Sequence, residues 1–492
     1  MNESHDLALI LESRIPLVVI ESPDERRVLD LLTRFAISRQ LAYYVWSATL
    51  GLRRGAFGPD FDGECDHTDP EQALRQIFRS EGPALYAMCD FHPYFKESHL
   101  AVRLAKDIAL EYERLQNTLV FVSHHLELPA ELSRVSASLD LALPSDEQLM
   151  AIVREQAAEW SRLNAGARVR TDNRTLKRLI ANLRGITHSD ARVLVRHAIF
   201  RNGAIQESDL PEINRLKFEL LDQEGVLRFE YGTERFGSVA GLTNLKKWLD
   251  KRRHAFVNKA SDLDRPRGIL LLGVQGSGKS LAARCVAGYW GLPLLRLDVG
   301  SLYNKYYGET ERNLRNSLKQ AEMMAPCVMW LDEIEKGLAV GGGDNATAQR
   351  VLGTLLTWMA ERQADVFTVA TSNDISKLPP ELLRKGRMDE IFFVDLPDKA
   401  TRQEIFRIHL EKRDVDPGRV DLALLAELSD GFTGAEIEQA VVSARYGARA
   451  SNKSVDTELL REAIQGTYPI SVVMSEHIAA LRAWARDRTV PA

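Results

Sequence analysis

The chain has 492 residues, too many for one hydrophobic core, so two or three domains are expected. With 45% hydrophobic and 27% charged residues, its composition is that of a soluble globular protein and excludes a disordered or collagen-like one. Lys plus Arg number 64 against 69 Asp plus Glu, a formal charge of -5, which leaves no global basic field for nucleic acid or anionic lipid. No apolar stretch approaches the roughly 20 residues needed to cross a bilayer, and Met1-Asn2-Glu3-Ser4-His5-Asp6 lacks a basic n-region. A cytoplasmic location without a membrane partner is expected. Cys65, Cys89, Cys285 and Cys327 lie far apart, against a disulfide framework or a cysteine zinc site, and read as reduced core thiols.

In chain order, Ile15-Pro16-Leu17-Val18-Val19-Ile20 reads as a first buried strand, followed by Glu21-Ser22-Pro23-Asp24-Glu25-Arg26-Arg27. Ala84-Leu85-Tyr86-Ala87-Met88-Cys89-Asp90 reads as another strand, and Ser123-His124-His125 precedes Leu128-Pro129-Ala130-Glu131-Leu132. The two histidines invite a metal site. Adjacent residues of a strand face opposite ways, however, and no third ligand is evident, so no metal is expected there. Residues 203–235 are polar, carry Pro211 and Gly225, and read as a connector with a helical piece over Leu216 to Leu221.

The C-terminal half carries the chemistry. Gly268-Ile269-Leu270-Leu271-Leu272 reads as a buried strand, then comes Gly273-Val274-Gln275-Gly276-Ser277-Gly278-Lys279-Ser280, then a helix opening at Leu281. This is G-x-x-x-x-G-K-[ST] in its strand–loop–helix context. Its glycines let backbone N–H groups converge on phosphate oxygens, Lys279 supplies charge for the β- and γ-phosphates, and Ser280 can ligate Mg2+. A second strand, Cys327-Val328-Met329-Trp330-Leu331, ends in Asp332-Glu333. In a phosphate-loop ATPase the first acid holds the Mg2+ shell and the second orients the attacking water. A third strand, Val366-Phe367-Thr368-Val369-Ala370-Thr371, leads into Ser372-Asn373-Asp374 and then Leu378-Pro379-Pro380-Glu381-Leu382-Leu383-Arg384-Lys385-Gly386-Arg387-Met388-Asp389.

With these motifs in this order, residues 236 to 470 resemble the AAA family of ring ATPases within the AAA+ superfamily. The resemblance implies that Asn373 is the sensor reading the γ-phosphate, and that Arg384 and Arg387 are arginine fingers reaching the nucleotide of a neighbouring subunit. A homo-oligomeric ring, usually of six subunits, is implied with them. Phe236-Gly237-Ser238-Val239-Ala240-Gly241 resembles the segment that touches adenine through its backbone, at Val239 and Ala240, and His409 matches a histidine flanking the base. Gly431-Phe432-Thr433-Gly434-Ala435 matches the segment that closes over the ribose and phosphates through Gly434 and Ala435. Asn304-Lys305-Tyr306-Tyr307-Gly308 resembles the first pore loop, with Tyr306 gripping an extended polypeptide, and Tyr307 departs from the aliphatic residue usual there. Gly341-Gly342-Gly343-Asp344 stands at the second pore loop. Glu361-Arg362-Gln363 replaces the Asp-Gly-Phe that many members carry.

The N-terminal half reads as a worn copy of the same domain. Leu143-Pro144-Ser145-Asp146 parallels Leu396-Pro397-Asp398-Lys399, Gly185-Ile186-Thr187 parallels Gly431-Phe432-Thr433, and the order of elements agrees. The copy lacks the loop glycines and lysine, and Asp90 is aligned with the first acid, so that Phe91 falls where the base would stand. The expected fold is thus α/β: a C-terminal AAA+ phosphate-loop domain, its parallel sheet sandwiched by helices, with a helical lid, preceded by a degenerate AAA-like α/β domain. The expected division is 1–202 for the worn domain, 203–235 for the connector, 236–398 for the ATPase domain, 399–470 for the lid and 471–492 for an amphipathic tail in which Trp484 is read as core.

The whole chain resembles a group of AAA proteins first described as a hypothetical plastid reading frame and also found in cyanobacteria and other bacteria. The resemblance implies a motor using ATP and Mg2+, coupled to threading or remodelling of a protein client or adaptor. A nucleotide-switched scaffold is the alternative. A nucleic-acid motor or loader is a third, opposed by the acidic balance, so no nucleic-acid partner is expected. No His-Glu-x-x-His motif appears, which disfavours a fused zinc protease.

Overall fold

The computed structural model describes residues 3–55, 67–80, 82–124, 126–221, 226–231, 239–257, 263–303, 309–338, 345–384 and 386–492. Two compact units divide the chain, one formed by residues 1–167 with 186–197, the other by 168–185 with 198–492.

The first unit is built on a six-stranded sheet of β1 (Leu17–Glu21), β2 (Ala42–Ser47), β3 (Gly51–Arg54), β4 (Ala84–Cys89), β5 (Asn117–Ser123) and β6 (Ser136–Ser138), in the order β3-β2-β4-β5-β1-β6. Every pairing is parallel except the β2–β3 hairpin. The central strands read as unbroken apolar runs because helices cover both faces. One face packs Trp46, Tyr86, Phe91, Phe95 and Phe121 against the helices Pro70–Arg79 and His99–Leu110. The other sets Val18, Ile20 and Val120 against Leu32 and Phe35 of the helix Glu25–Arg39.

The second unit carries a seven-stranded sheet of β7 (Leu227–Glu230), β8 (Gly268–Gly273), β9 (Leu294–Asp298), β10 (Cys327–Asp332), β11 (Val366–Ser372), β12 (Glu390–Val394) and β13 (Val490–Pro491), in the order β13-β12-β8-β11-β10-β9-β7. Here β12, β8, β11, β10 and β9 are related exactly as β6, β1, β5, β4 and β2 are in the first sheet, so both units share one topology. The expected connector 203–235 contributes the helix Leu210–Leu221 and β7, which pairs antiparallel with β9. Lys217 on that helix is 1% exposed and its Nζ donates to the carbonyls of Asn182, Arg184 and Met323. Burial pushes its pKa down to about 7, while three accepting carbonyls suit the ammonium form. Met323 closes the helix Glu309–Met323.

The lid region holds the helices Lys399–Glu411, Leu422–Leu428, Gly434–Ala450 and Thr457–Gln465 around Phe406, Leu425, Phe432, Ile437 and Leu460. In the tail, Ile478 and Leu481 of the helix Ser475–Ala485 are buried. Trp484, read as core, is instead half-buried with the Arg488 guanidinium 5.5 Å above its ring, beside the buried stripe of Ile478, Leu481 and Ala485 rather than on it. Cys89, Cys285 and Cys327 are buried. No helix among the described residues is long and apolar enough to cross a membrane.

Candidate active site at the strand ends

The phosphate loop leaves β8 at Gly273, where any side chain is impossible: a Cβ would stand 2.0 Å from the carbonyl oxygen of Val394 at the end of β12. Gly276 and Gly278 hold φ of +78 and +97, a region that only glycine enters without strain. These dihedrals turn the loop back toward the helix Lys279–Trp290. Val274 is buried, Gln275 and Ser280 are exposed, and Leu281 packs on the core. Lys279 is 6% exposed and folds onto its own loop, Nζ donating to the carbonyls of Gly273 at 2.8 Å and Val274 at 2.7 Å. Burial lowers its pKa to about 8, opposed by the charges of Glu335, Glu333 and Asp332.

The acid pair sits where β10 ends beside β11. Asp332 accepts from Thr371 Oγ1 at 2.9 Å and from Arg296 Nη2 at 2.7 Å. Glu333 has φ of +45, rare for a residue with a Cβ and a mark of strained functional positions. Its amide donates to Thr371 Oγ1 at 3.1 Å, and its carboxylate accepts from Asn373 Nδ2 at 3.2 Å while pairing with Lys336. Asn373 in turn donates its amide N–H to Glu335 Oε1 at 3.1 Å. The structure therefore brings Glu333, Asp332 and Asn373 into one hydrogen-bonded corner, and adds Thr371, Arg296, Lys336 and Glu335 to it. Glu335 is 5% exposed, with Oε2 buried and lacking a hydrogen-bond partner among the described residues. The run Asp332-Glu333-Ile334-Glu335 was the signal for it.

The lid meets the loop directly. The amide of Ala435 donates to the carbonyl of Gly276 at 3.3 Å, and a Cβ on Gly276 would stand 3.1 Å from Thr433 Oγ1. Thr433 caps the helix Gly434–Ala450 through a reciprocal box with Glu436, which fixes this approach. Val239 and Ala240 precede Gly241, which lies against Thr401 of the helix that carries His409. His409 Nδ1 lies 3.2 Å from Arg413 Nη1 and 3.6 Å from Glu438, and burial lowers its pKa.

Arg384 and Arg387 stand elsewhere. Arg384 is exposed and Arg387 half-buried, donating to the carbonyl of Glu381. Between them and β12, Asp389 accepts from the amides of Arg267 and Gly268 at the first residue of β8. The phosphate loop leaves the last residue of β8. Five residue steps of strand put about 16 Å between the two ends. Tyr306, Tyr307, Gly308, Gly341–Asp344 and Phe236–Ser238 lie outside the described residues.

The corner of the first unit departs from the expected alignment by one residue. Ser123 and Ser372 end β5 and β11, facing Glu21 of β1 and Leu272 of β8, an offset of 249 (372 minus 123). Cys89 faces Val122, and Leu331 faces Ala370, so one step further along Cys89 falls at the place of Asp332 and Asp90 at that of Glu333. Asp90 shares the left-handed backbone, with φ of +49. The acid retained is thus the second of the pair, not the first, and Phe91 is a core residue, 1% exposed. The loop is shorter as well: three residues, Ser22 to Asp24, link β1 to its helix where five, Val274 to Gly278, link β8 to the helix opening at Lys279. Asp24, 6% exposed, accepts from the amides of Arg27 and Ser189, which puts a carboxylate where an anion would have to bind.

A sheet of this order, with a glycine-rich loop at the end of one central strand and an acid pair at the end of a neighbour, defines a phosphate-loop NTPase. Residues 269–396 match the ATPase family associated with various cellular activities (AAA), and residues 3–141 and 147–224 match the N-terminal and second domains of SpoVK-like AAA ATPases. The chain is 33% identical to the AAA domain-containing protein ycf46 of Pyropia yezoensis, over 99% of this chain and 98% of that protein, and 32% identical to ycf46 of Trieres chinensis, over 99% and 97%. It is also 33% identical to a cell division cycle protein 48 homolog of Archaeoglobus fulgidus, over 46% of this chain and 31% of that protein. The chain belongs to the AAA family, and ATP hydrolysis is the activity that this membership supports.

Proposed function

We propose that the chain is a Mg2+-dependent ATPase acting as a homo-oligomeric ring, each site completed by Arg384 and Arg387 of a neighbour, with turnover coupled to remodelling of a protein partner. The observation that carries the proposal is the strand length between those arginines and the phosphate loop of their own chain, which makes a reach in cis implausible on geometric grounds.

The residues present fit a nucleotide and its metal. Ser277 Oγ is buried in the loop with no hydrogen-bond partner among the described residues, and a hydroxyl with a carboxylate, Ser280 with Asp332, is a hard oxygen set suited to Mg2+. Bound there, the ion would neutralise charge on the phosphate oxygens. Lys279 leaves the carbonyls of Gly273 and Val274 and turns its ammonium to the β- and γ-phosphates. Glu333 orients and polarises the attacking water once Lys336 releases it, and Asn373, already its donor, reports on the γ-phosphate. Thr433, Gly434 and Ala435 bring the lid over the loop. Guanidinium groups from the neighbour stabilise charge on the transferring phosphoryl group, so hydrolysis requires assembly. Movement of the lid and corner would then drive Tyr306 against the client, the role that the resemblance to a pore loop implies for it.

A mixing experiment tests the ring. Lys279→Ala and Arg384→Ala chains are each inactive alone, yet in a mixed assembly an Arg384→Ala site receives the arginine of a Lys279→Ala neighbour. Recovery of Mg2+-dependent ATP hydrolysis on mixing is expected, and no recovery in assemblies of confirmed mixed composition overturns the trans reading.

A further inference from the structure

We infer that the worn domain holds a divalent transition-metal ion, of the zinc class, on Asp90, His92 and His124. One ligand atom from each of these three residues lies within 4.8 Å of the others. The expectation of no metal beside His124 rested on the want of a third ligand, and the fold supplies two from a different strand end: Asp90 and His92 follow β4, His124 follows β5.

The placement is not a chance meeting of surface groups. By the ladder offsets, 243 along β4 (332 minus 89) and 249 along β5, Asp90, His92 and His124 occupy the places of Glu333, Glu335 and Asn373. The sheet already converges those three positions in the intact unit, where Asn373 bonds both glutamates. In the worn unit the same convergence is kept, with two carboxylate- or amide-bearing residues exchanged for imidazoles. Two imidazoles and one carboxylate form the donor set of open zinc sites and of other first-row divalent ions.

Support around the ligands is in place. His92 Nδ1 lies 2.6 Å from Ser123 Oγ, which lies 3.4 Å from Asp90 Oδ1. A hydrogen bond to one ring nitrogen fixes the tautomer and orients the ring, as outer partners of metal-binding histidines do. The His92 and His124 rings meet edge to face with centroids 5.0 Å apart. Asp90 and His124 are exposed and His92 half-buried, which leaves an entry path. Metal–ligand bonds of about 2.0–2.1 Å at tetrahedral angles need donor atoms roughly 3.3 Å apart. Rotation of the exposed side chains closes the difference, while the Asp90 backbone is held by its N–H donating to the carbonyl of Val122.

The test uses the full-length, tag-free chain stripped of metal and titrated with Co2+ in the absence of nucleotide, followed by Zn2+ competition. One Co2+ per chain is expected, with visible d–d absorption and no thiolate charge-transfer band. Binding weakens at least about 100-fold in His92→Ala and in His124→Asn, and about 10-fold in Ser123→Ala, whose hydroxyl acts through His92. His124→Asn installs the residue type of the intact unit, and thermal melts of each variant confirm the fold. Less than stoichiometric binding to the wild type, or affinity unchanged in the folded His92→Ala/His124→Asn double variant, overturns the assignment. Nothing in this outcome depends on ATP hydrolysis by the other unit.

Discussion

The corner at the end of β10 and the corner at the end of β4 occupy the same place in two sheets of one topology, and they differ in what they can attract. In the first, a five-residue loop of open backbone dihedrals and a lysine face the acid pair, so an anion and its cation can be held together. In the second, the loop is three residues long and carries Asp24, so a phosphate meets a carboxylate. What survives is the part of the geometry written into the sheet. Asp90 and Glu333 both adopt left-handed φ, because each must turn the chain sharply off a parallel strand while keeping its side chain over the strand ends. The backbone of a catalytic corner can outlast its substrate, and a scaffold that converges three polar side chains stays available for other ligands.

The largest effect that would break this comparison is at the second acid. Glu333→Gln should lower ATP turnover by about 100-fold or more, the usual loss when a positioned base is removed, with ATP binding retained in equilibrium binding measurements. Glu25→Gln, on the worn side, should leave turnover within about twofold. The Glu25 carboxyl is held above its usual range by burial and by Asp90, a local charge effect without a phosphate to act on. Equal losses from the two changes would mean that both corners serve hydrolysis.

A smaller effect sharpens the lysine side of the contrast. Lys279 titrates near 8 while folded on its own loop, and phosphate charge favours the ammonium form, so ATP binding raises its pKa. Binding at pH 8 should therefore take up roughly half a proton per site, since a group at its pKa is half protonated beforehand and fully protonated after. Calorimetry in buffers of different ionisation enthalpy reads this directly, and proton release would contradict the sign. The smallest effect concerns Lys336, whose pairing with Glu333 is solvent-exposed on the lysine side. Lys336→Ala should change turnover by no more than a few-fold, because exposed ion pairs contribute about 0–1 kcal/mol.

Much of the intact site was legible because its chemistry is local in sequence. Gly273 to Ser280 and the Asp332-Glu333 pair each lie within one strand end, where residue type and spacing carry the meaning. Thr371 and Arg296 were not legible: they reach Asp332 from adjacent parallel strands, and only the register says which residues of β9 and β11 face it. The same cause misplaced Asp90 by one position. Ala84 to Cys89 is buried along its whole length, and an unbroken apolar run has no alternation from which to read where a strand ends. The strand β7 carries little sequence signal because Leu227 to Glu230 is short and polar on one face, as an edge strand often is. The metal cluster was hidden for a topological reason, since 34 positions separate Asp90 from His124 (124 minus 90) and only the β4–β5 pairing unites them.

The grip of Lys217 on the carbonyl of Met323 has a mechanical meaning. Met323 is the terminal residue of a 15-residue helix whose other end, Glu309, directly follows residues 304–308. Fifteen residues span about 22 Å, and Thr310, Leu314, Leu318 and Ala321 are buried along them, so the core already holds this rod along its length. The buried Lys217 side chain adds a polar anchor at the end where the last helix carbonyls lack intrahelical partners.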